Sequence, residues 1–273
     1  NHEVVAALVR GKLRIKFEDA VAKLVDSNGR GITPAGFNSR IVNANAGFKF
    51  VQPAINHGRI LARLHRFFPG LSFLEEAEFL AKIVAIEKAV QGNAQTRNLL
   101  RGVWQPICLP HCPVVDYGQT LEEVFISALE RAYCEQFPNR KFSNYRKGEL
   151  AGQVTIADGT RHERTIAAMQ AGPVAALWFP SPFQGFSIPA DREIIRLFPK
   201  NYCLTGAIDT TVGIVADTVT FAGDYIVPVM DCAANAWQSP ERSMCFCSGG
   251  NCFGYGGRDL GPVEDYSGGM LVL

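Results

Sequence analysis

The 8 cysteines and 5 histidines are the residues of this chain with the widest chemical reach. Cys108, His111 and Cys112 put two thiols and an imidazole close together, and Cys245, Cys247 and Cys252 put three thiols in a glycine-rich stretch. Zinc takes sulfur and nitrogen donors in a tetrahedron. A site joining the two groups would make zinc a cofactor that ties distant parts of the chain together. The spacing differs from that of ribbons and fingers, which use two well-separated pairs two to four residues apart. Disulfides in an oxidising compartment are a rival reading. Free thiols buried as small hydrophobes are the reading the spacing favours.

Catalysis by a thiol needs an imidazole to take its proton and a third group to orient that base. Cys203 and Cys232 are candidate nucleophiles. His162 is the candidate base among His2, His57, His65, His111 and His162. No Gly-x-Ser-x-Gly elbow occurs, so serine chemistry has no comparable foothold. Asp209 and Asp231, with Asp217 and Asp224 between them, recur at short intervals and could supply a general acid and base. The competing reading is that these aspartates cap turns, as Ala222-Gly223-Asp224 suggests.

Binding residues form three groups. Arg59, Arg63 and Arg66 make a basic helical stripe suited to an anionic partner. Trp178, within a Trp-Phe-Pro-Ser-Pro-Phe run, could line a pocket for a planar ligand. Tyr255 and Arg258 sit in the glycine-rich segment Gly249–Arg258. That segment could cradle an anion but matches no phosphate-loop pattern, so it reads as a mobile surface loop.

These residues need elements to hold them. Apolar spacing of three and four predicts helices from Pro53 to Phe68 and from Phe73 to Gln91, and from Thr120 to Phe137. In the second, Leu80, Ile83, Val84 and Val90 are the apolar positions. Ser72–Glu75 and Thr120–Glu123 read as capping boxes, and Thr33-Pro34 as another helix start. Near the N-terminus, Glu3–Arg10 reads as helical, Gly11–Phe17 alternates like a strand, and Phe17–Leu24 returns to helical spacing. Asp158-Gly159 predicts a hairpin joining Gln153–Ala157 to Arg161–Thr165. Val174–Phe179, Val212–Ala216, Thr218–Phe221 and Tyr225–Met230 read as strands, and Pro189–Phe198 as a short helix.

The expected fold class is therefore α+β. A helix-rich N-terminal half, residues 1–145, packs on a mostly antiparallel, strand-and-turn-rich half, residues 146–273, as two regions or as one integrated domain. The chain has 273 residues, 47% of them hydrophobic and 19% charged, which suits a packed core and excludes a disordered chain. Residues 1–150 carry a net charge of +6 and residues 151–273 a net charge of −5. This is mild beside the basic footprint of a nucleic-acid binder. An anionic small molecule or a protein is the better-matched partner. No apolar run approaches the ~18 residues of a membrane span, and the first residues lack a signal-peptide pattern. The location reads as cytoplasmic, though residue 1 is Asn rather than Met, which leaves open what precedes it. Because no catalytic set is complete, the leading expectation is a ligand- or partner-binding protein using the cleft between the halves, without catalysis. The alternatives are a hydrolase or transferase with a Cys/His or carboxylate site, and a zinc-stabilised interaction domain.

Overall fold

The computed structural model describes residues 23–223 and 225–273. The readings for Glu3–Arg10, Gly11–Phe17 and most of Phe17–Leu24 lie outside the described residues, as do His2 and Asp224.

The described chain is α+β and is built on one mixed sheet. The first helix, α1 (His57–Phe67), is capped by the Asn56 side chain, which accepts from the Arg59 amide. Its buried stripe is Ile60, Leu61, Leu64 and Phe67, the three-and-four spacing of an amphipathic helix. Next comes α2 (Glu76–Gly92), which buries Phe79, Ile83 and Val90. Leu80 and Val84, two more of its apolar positions, are 43% and 54% exposed. Apolar residues stand among charged ones on the outer side of the helix, so spacing alone does not fix which stripe turns inward. A short 3-10 helix, Arg97–Arg101, leads to strand β1 (Gln105–Leu109).

The third helical run has three parts: α3 (Tyr117–Thr120), a π-helical stretch Leu121–Ile126, and α4 (Ser127–Gln136). Its true cap is Asp116, whose carboxylate accepts from the Gln119 amide, so Thr120 lies inside the helix. Ser72–Glu75 likewise provides no side-chain cap, and Thr33-Pro34 starts no helix.

Strands β2 (Lys141–Asn144) and β3 (Val154–Ile156) follow. The predicted hairpin after β3 is replaced by helix α5 (His162–Ala171), and β3 pairs instead with β7 (Asn235–Trp237). His162, Thr165, Ile166 and Met169 are its buried face. This helical stripe outweighs the five-residue alternation that suggested a strand. Strand β4 (Val174–Gln184) extends through Pro180 and Pro182. Prolines cannot donate to a ladder. Here the ladder is interrupted on both sides: β1 pairs only as far as Trp178, and the other neighbour bulges between Gly268 and Met270.

Then come α6 (Ile188–Ile194), capped by Ser187, and β5 (Tyr202–Leu204). Helices α7 (Ala207–Ala216) and α8 (Thr218–Ala222) occupy the stretch expected to form two strands. All ten residues of α7 are buried. A short run apolar on every side carries no period that separates helix from strand, and Thr210, Thr211, Val212, Ile214 and Val215 add β-branched bias. Of the strand expected over Tyr225–Met230, only the end remains, as β6 (Val229–Asp231). Finally β8 (Arg242–Gly249) and β9 (Cys252–Asp259) form a hairpin, and β10 (Tyr266–Val272) closes the chain. The glycine-rich tail is thus largely strand. Its glycines make room for rings: a Cβ on Gly257 would overlap Trp237, and one on Gly254 would meet Tyr145.

The sheet order is β1-β4-β10-β6-β8-β9-β2, with β5 also on β10. Pairing is antiparallel except between β10 and β6 and between β2 and β9. Helix α7 lies against β1, α1 and α4. Trp178 of β4 rests on Gly213, where a Cβ would overlap the indole. Among the described residues, no helix is long and apolar enough to cross a membrane.

Candidate functional site

The sheet separates the two cysteine groups. Cys108 is on β1 and Cys245 on β8, four strand positions apart, which at ~4.8 Å per strand is roughly 19 Å. A zinc site joining the two groups is therefore not supported. Among the described residues, no three His, Cys, Asp or Glu side chains converge to hold a metal ion. His111 is also taken up: its amide bonds Ser72 O and its ring Gln170 O. Burial pushes the Cys108 thiol up to about 11 and raises that of Cys112. All eight cysteines are free. On the hairpin, Cys247 lies across from Gly254 and Cys252 across from Gly249, while the Cys252 thiol donates to Ser143 Oγ at 3.5 Å.

Two of the proposed catalytic residues do meet. At the N-terminus of α7, His162 Nε2 lies 3.6 Å from Asp209 Oδ1 and 3.1 Å from Tyr117 Oη. Asn235 Oδ1 accepts from Tyr117 Oη (3.3 Å) and from the Ala207 amide (2.7 Å). Asp209 Oδ1 accepts from the Gly206 amide at 2.9 Å. Elements from four parts of the chain build this knot: α3, α5, α7 and β7. It is sealed, with His162, Asp209 and Asn235 fully buried. Burial lowers the His162 pKa to about 4 and pushes the Asp209 carboxyl well above the usual carboxylate range. The pair therefore meets as neutral groups. Tyr117 and Asp209 both face the same ring nitrogen, and the imidazole's further contact is with the Leu204 backbone. A catalytic relay instead uses opposite nitrogens of the imidazole, one toward the nucleophile and one toward the orienting acid.

The remaining nucleophile candidates are enclosed. Burial pushes the Cys203 thiol up to about 11 and the Cys232 thiol well above its ordinary value, opposite to the depressed pKa of a reactive thiolate. Asp231 is held by Arg258, whose Nη1 donates to both carboxylate oxygens at 2.7 and 2.6 Å. Beside this pair lies Asp191, fully buried, with neither oxygen hydrogen-bonded. Burial and the neighbouring Asp231 raise its pKa well above the carboxylate range.

The expected binding residues are also committed elsewhere. Arg63 donates to Val215 O and to Thr218 Oγ1, Arg59 lies 3.6 Å from Asp217, and Arg66 pairs with Glu135. Trp178 and Tyr255 are core residues. Arg258 is spent on Asp231 and stacks over Tyr266.

The open site is one that no motif marked. A cavity of about 230 Å³ lies where residues 28–30, 49–52 and 101–103 meet strand β4. Its apolar lining includes Phe50, Phe179 and Pro182, and its charged groups are Arg30, Lys49 and Arg101. Among the described residues, no carboxylate lines it. The turn that carries Arg30 is built locally: the Asp26 carboxylate accepts the Asn28 and Arg30 amides at 2.8 and 2.9 Å. Gly29 takes φ +84°, a left-handed conformation that suits glycine. It packs so tightly on Gly102 that a Cβ would reach 2.5 Å from the Gly102 amide nitrogen. Arg30 is then aimed by Gln184. The Gln184 amide nitrogen donates to Asn45 O, Phe48 O and Glu264 O, which turns Oε1 toward Arg30 Nη2 at 3.1 Å. Among the described residues, no carboxylate forms an ion pair with Lys49 or Arg101.

The signal in the sequence that comes nearest to this site is the Asp26-Ser27-Asn28-Gly29 turn before Arg30. Compared with protein families, characterised proteins and solved structures, the chain matches none.

Proposed function

We propose that the protein binds a small organic anion in the cavity bounded by Arg30, Lys49 and Arg101, without catalysing a reaction on it. The observation that carries this reading is the gathering of three cations around one partly apolar cavity with no acid among the described residues that line it. Like charges repel, so folding alone gives little reason to collect them at one cavity. A phosphate or carboxylate would relieve that repulsion and accept charge-assisted hydrogen bonds. Phe50 and Phe179 would then cover the ligand's apolar body. The volume falls below the ~300–1,000 Å³ of drug-sized sites, so the ligand is compact. Each charge-assisted bond contributes about 1.5–3 kcal/mol, and the cations are only half-buried or exposed. Affinity should therefore lie on the order of 10 μM to 1 mM.

The cavity is bounded by parts of both halves of the chain, in keeping with a binding role for their junction. Titration calorimetry with phenyl phosphate and phenol tests the reading. Phenyl phosphate should bind at least ~10-fold more tightly than phenol, and Arg30→Gln and Lys49→Gln should each remove most of that preference without changing the melting temperature. Equal binding of the two compounds, or a preference that survives both substitutions, would refute it.

A further inference from the structure

We infer that the ligand carries two anionic groups, the second held by a neighbouring cavity on the far side of Arg101. This second cavity, of about 300 Å³, is lined by Gln91, Arg97, Asn98, Leu100 and Arg101. Arg101 lines both cavities. Among the described residues, the second again contains cations and no carboxylate, and Gln91 and Asn98 add amide groups.

The backbone fixes the two arginines beside the first cavity. Leu99 is buried and anchors the short helix Arg97–Arg101. The Gly102 amide caps it on Leu99 O, and Asn98 Nδ2 donates to Val25 O at 3.2 Å, on the strand-like segment that leads into the Arg30 turn. The same Gly29–Gly102 contact that shapes the first cavity therefore sets Arg97 and Arg101 relative to Arg30. The result is a track of cations, Arg30 and Lys49 in one cavity, Arg97 in the other and Arg101 between them. A single anion would leave Arg97 unanswered. A molecule with phosphate or carboxylate groups at both ends, joined by a short neutral body, would engage the whole track. The inference rests on the anion-binding reading of the first cavity.

Hexyl phosphate and hexanediol bisphosphate are suitable probes, because they differ only in the second anionic group. The bisphosphate should bind at least ~10-fold more tightly. Arg97→Gln should abolish that advantage and leave hexyl phosphate unchanged, whereas Arg101→Gln should weaken both. Arg97 is exposed, so the variant should keep the wild-type melting temperature. If hexyl phosphate binds and the bisphosphate binds no more tightly, or its advantage survives Arg97→Gln, the second subsite is refuted while the first cavity stands. If neither compound binds, the first reading falls and this one with it. A single-stranded oligonucleotide that binds more tightly than the bisphosphate, and loses binding in Arg97→Gln, would assign the track to a polymer backbone and also overturn the inference.

Discussion

The knot at the start of α7 and the basic cavity beside β4 are opposites. The knot holds residue types that often do chemistry, a histidine, an aspartate, an asparagine and a tyrosine, but protein covers them on every side. The cavity holds three ordinary surface cations, but they face open space. Burial decides the difference. In the knot, desolvation drives His162 and Asp209 to their neutral forms, so the proximity of an acid and a base yields a packing arrangement. In the cavity the charges remain accessible to an outside partner. Substitutions in the knot should therefore change stability, and substitutions in the cavity should change binding.

The largest effect should come from Gly206→Ala. A Cβ there would lie 2.6 Å from both His162 Nε2 and Tyr117 Oη. Both side chains are buried and packed, so neither can swing away. Overpacking of this kind costs about 1–3 kcal/mol, and the broken contacts of a buried polar network add to it. Chemical denaturation should show a loss of at least ~2 kcal/mol. Binding of phenyl phosphate to the protein that remains folded should be unchanged. A parallel loss of binding would mean that the two regions are coupled.

A pH series on Asp191→Asn sharpens the same contrast. Asp191 is buried, and its pKa in the folded protein is raised. Its contribution to stability is therefore fully present below the unfolded carboxylate value of ~3.9 and is lost as pH rises through the folded pKa. Asparagine does not titrate. Relative to the variant, the wild type should lose about 1.4 kcal/mol for each pH unit above that lower limit, levelling off once the folded pKa is passed. A stability difference that stays flat from pH 4 to pH 8 would show that Asp191 is ionised in the native state and finds a partner there.

How far the sequence revealed each region follows from the same physics. Helix α1 was legible because one side of it faces solvent, and Ile60, Leu64 and Phe67 stand out against Arg59, Arg63 and Arg66. Helix α7 was read as strand because protein surrounds it, which erases the polar face that marks a period. Helix α2 was legible as a helix, but its apolar residues turn both ways, Phe79, Ile83 and Val90 inward and Leu80 and Val84 outward. His162 and Asp209 were both named as candidates, yet nothing in the chain pairs residues so far apart. The zinc site that would join the two cysteine groups finds no support for a related reason: local spacing says nothing of strand order, and strand order puts β1 and β8 far apart. Arg30, Lys49 and Arg101 escaped notice because no motif spans them. They are gathered by the Gly29–Gly102 contact and by the orientation of Gln184, which are tertiary facts.

His162 gives the effect most specific to the knot. Burial holds its folded pKa at about 4, below the ordinary 6.5. Between those values the unfolded chain takes up a proton that the folded protein refuses, so this residue's contribution is present above pH 6.5 and is lost as pH falls toward 4. The total should be on the order of 3 kcal/mol. The buried aspartates titrate with the opposite sign across part of this range, so the whole protein's pH profile hides the effect. Subtracting the profile of His162→Gln exposes it. The stability of wild type relative to this variant should fall steadily from pH 6.5 to pH 4 and be flat above pH 7. An imidazole NMR titration should place the folded midpoint near the lower limit. A midpoint near 6.5 would mean that water reaches the ring, and the knot would then have to be reconsidered as an open, reactive site.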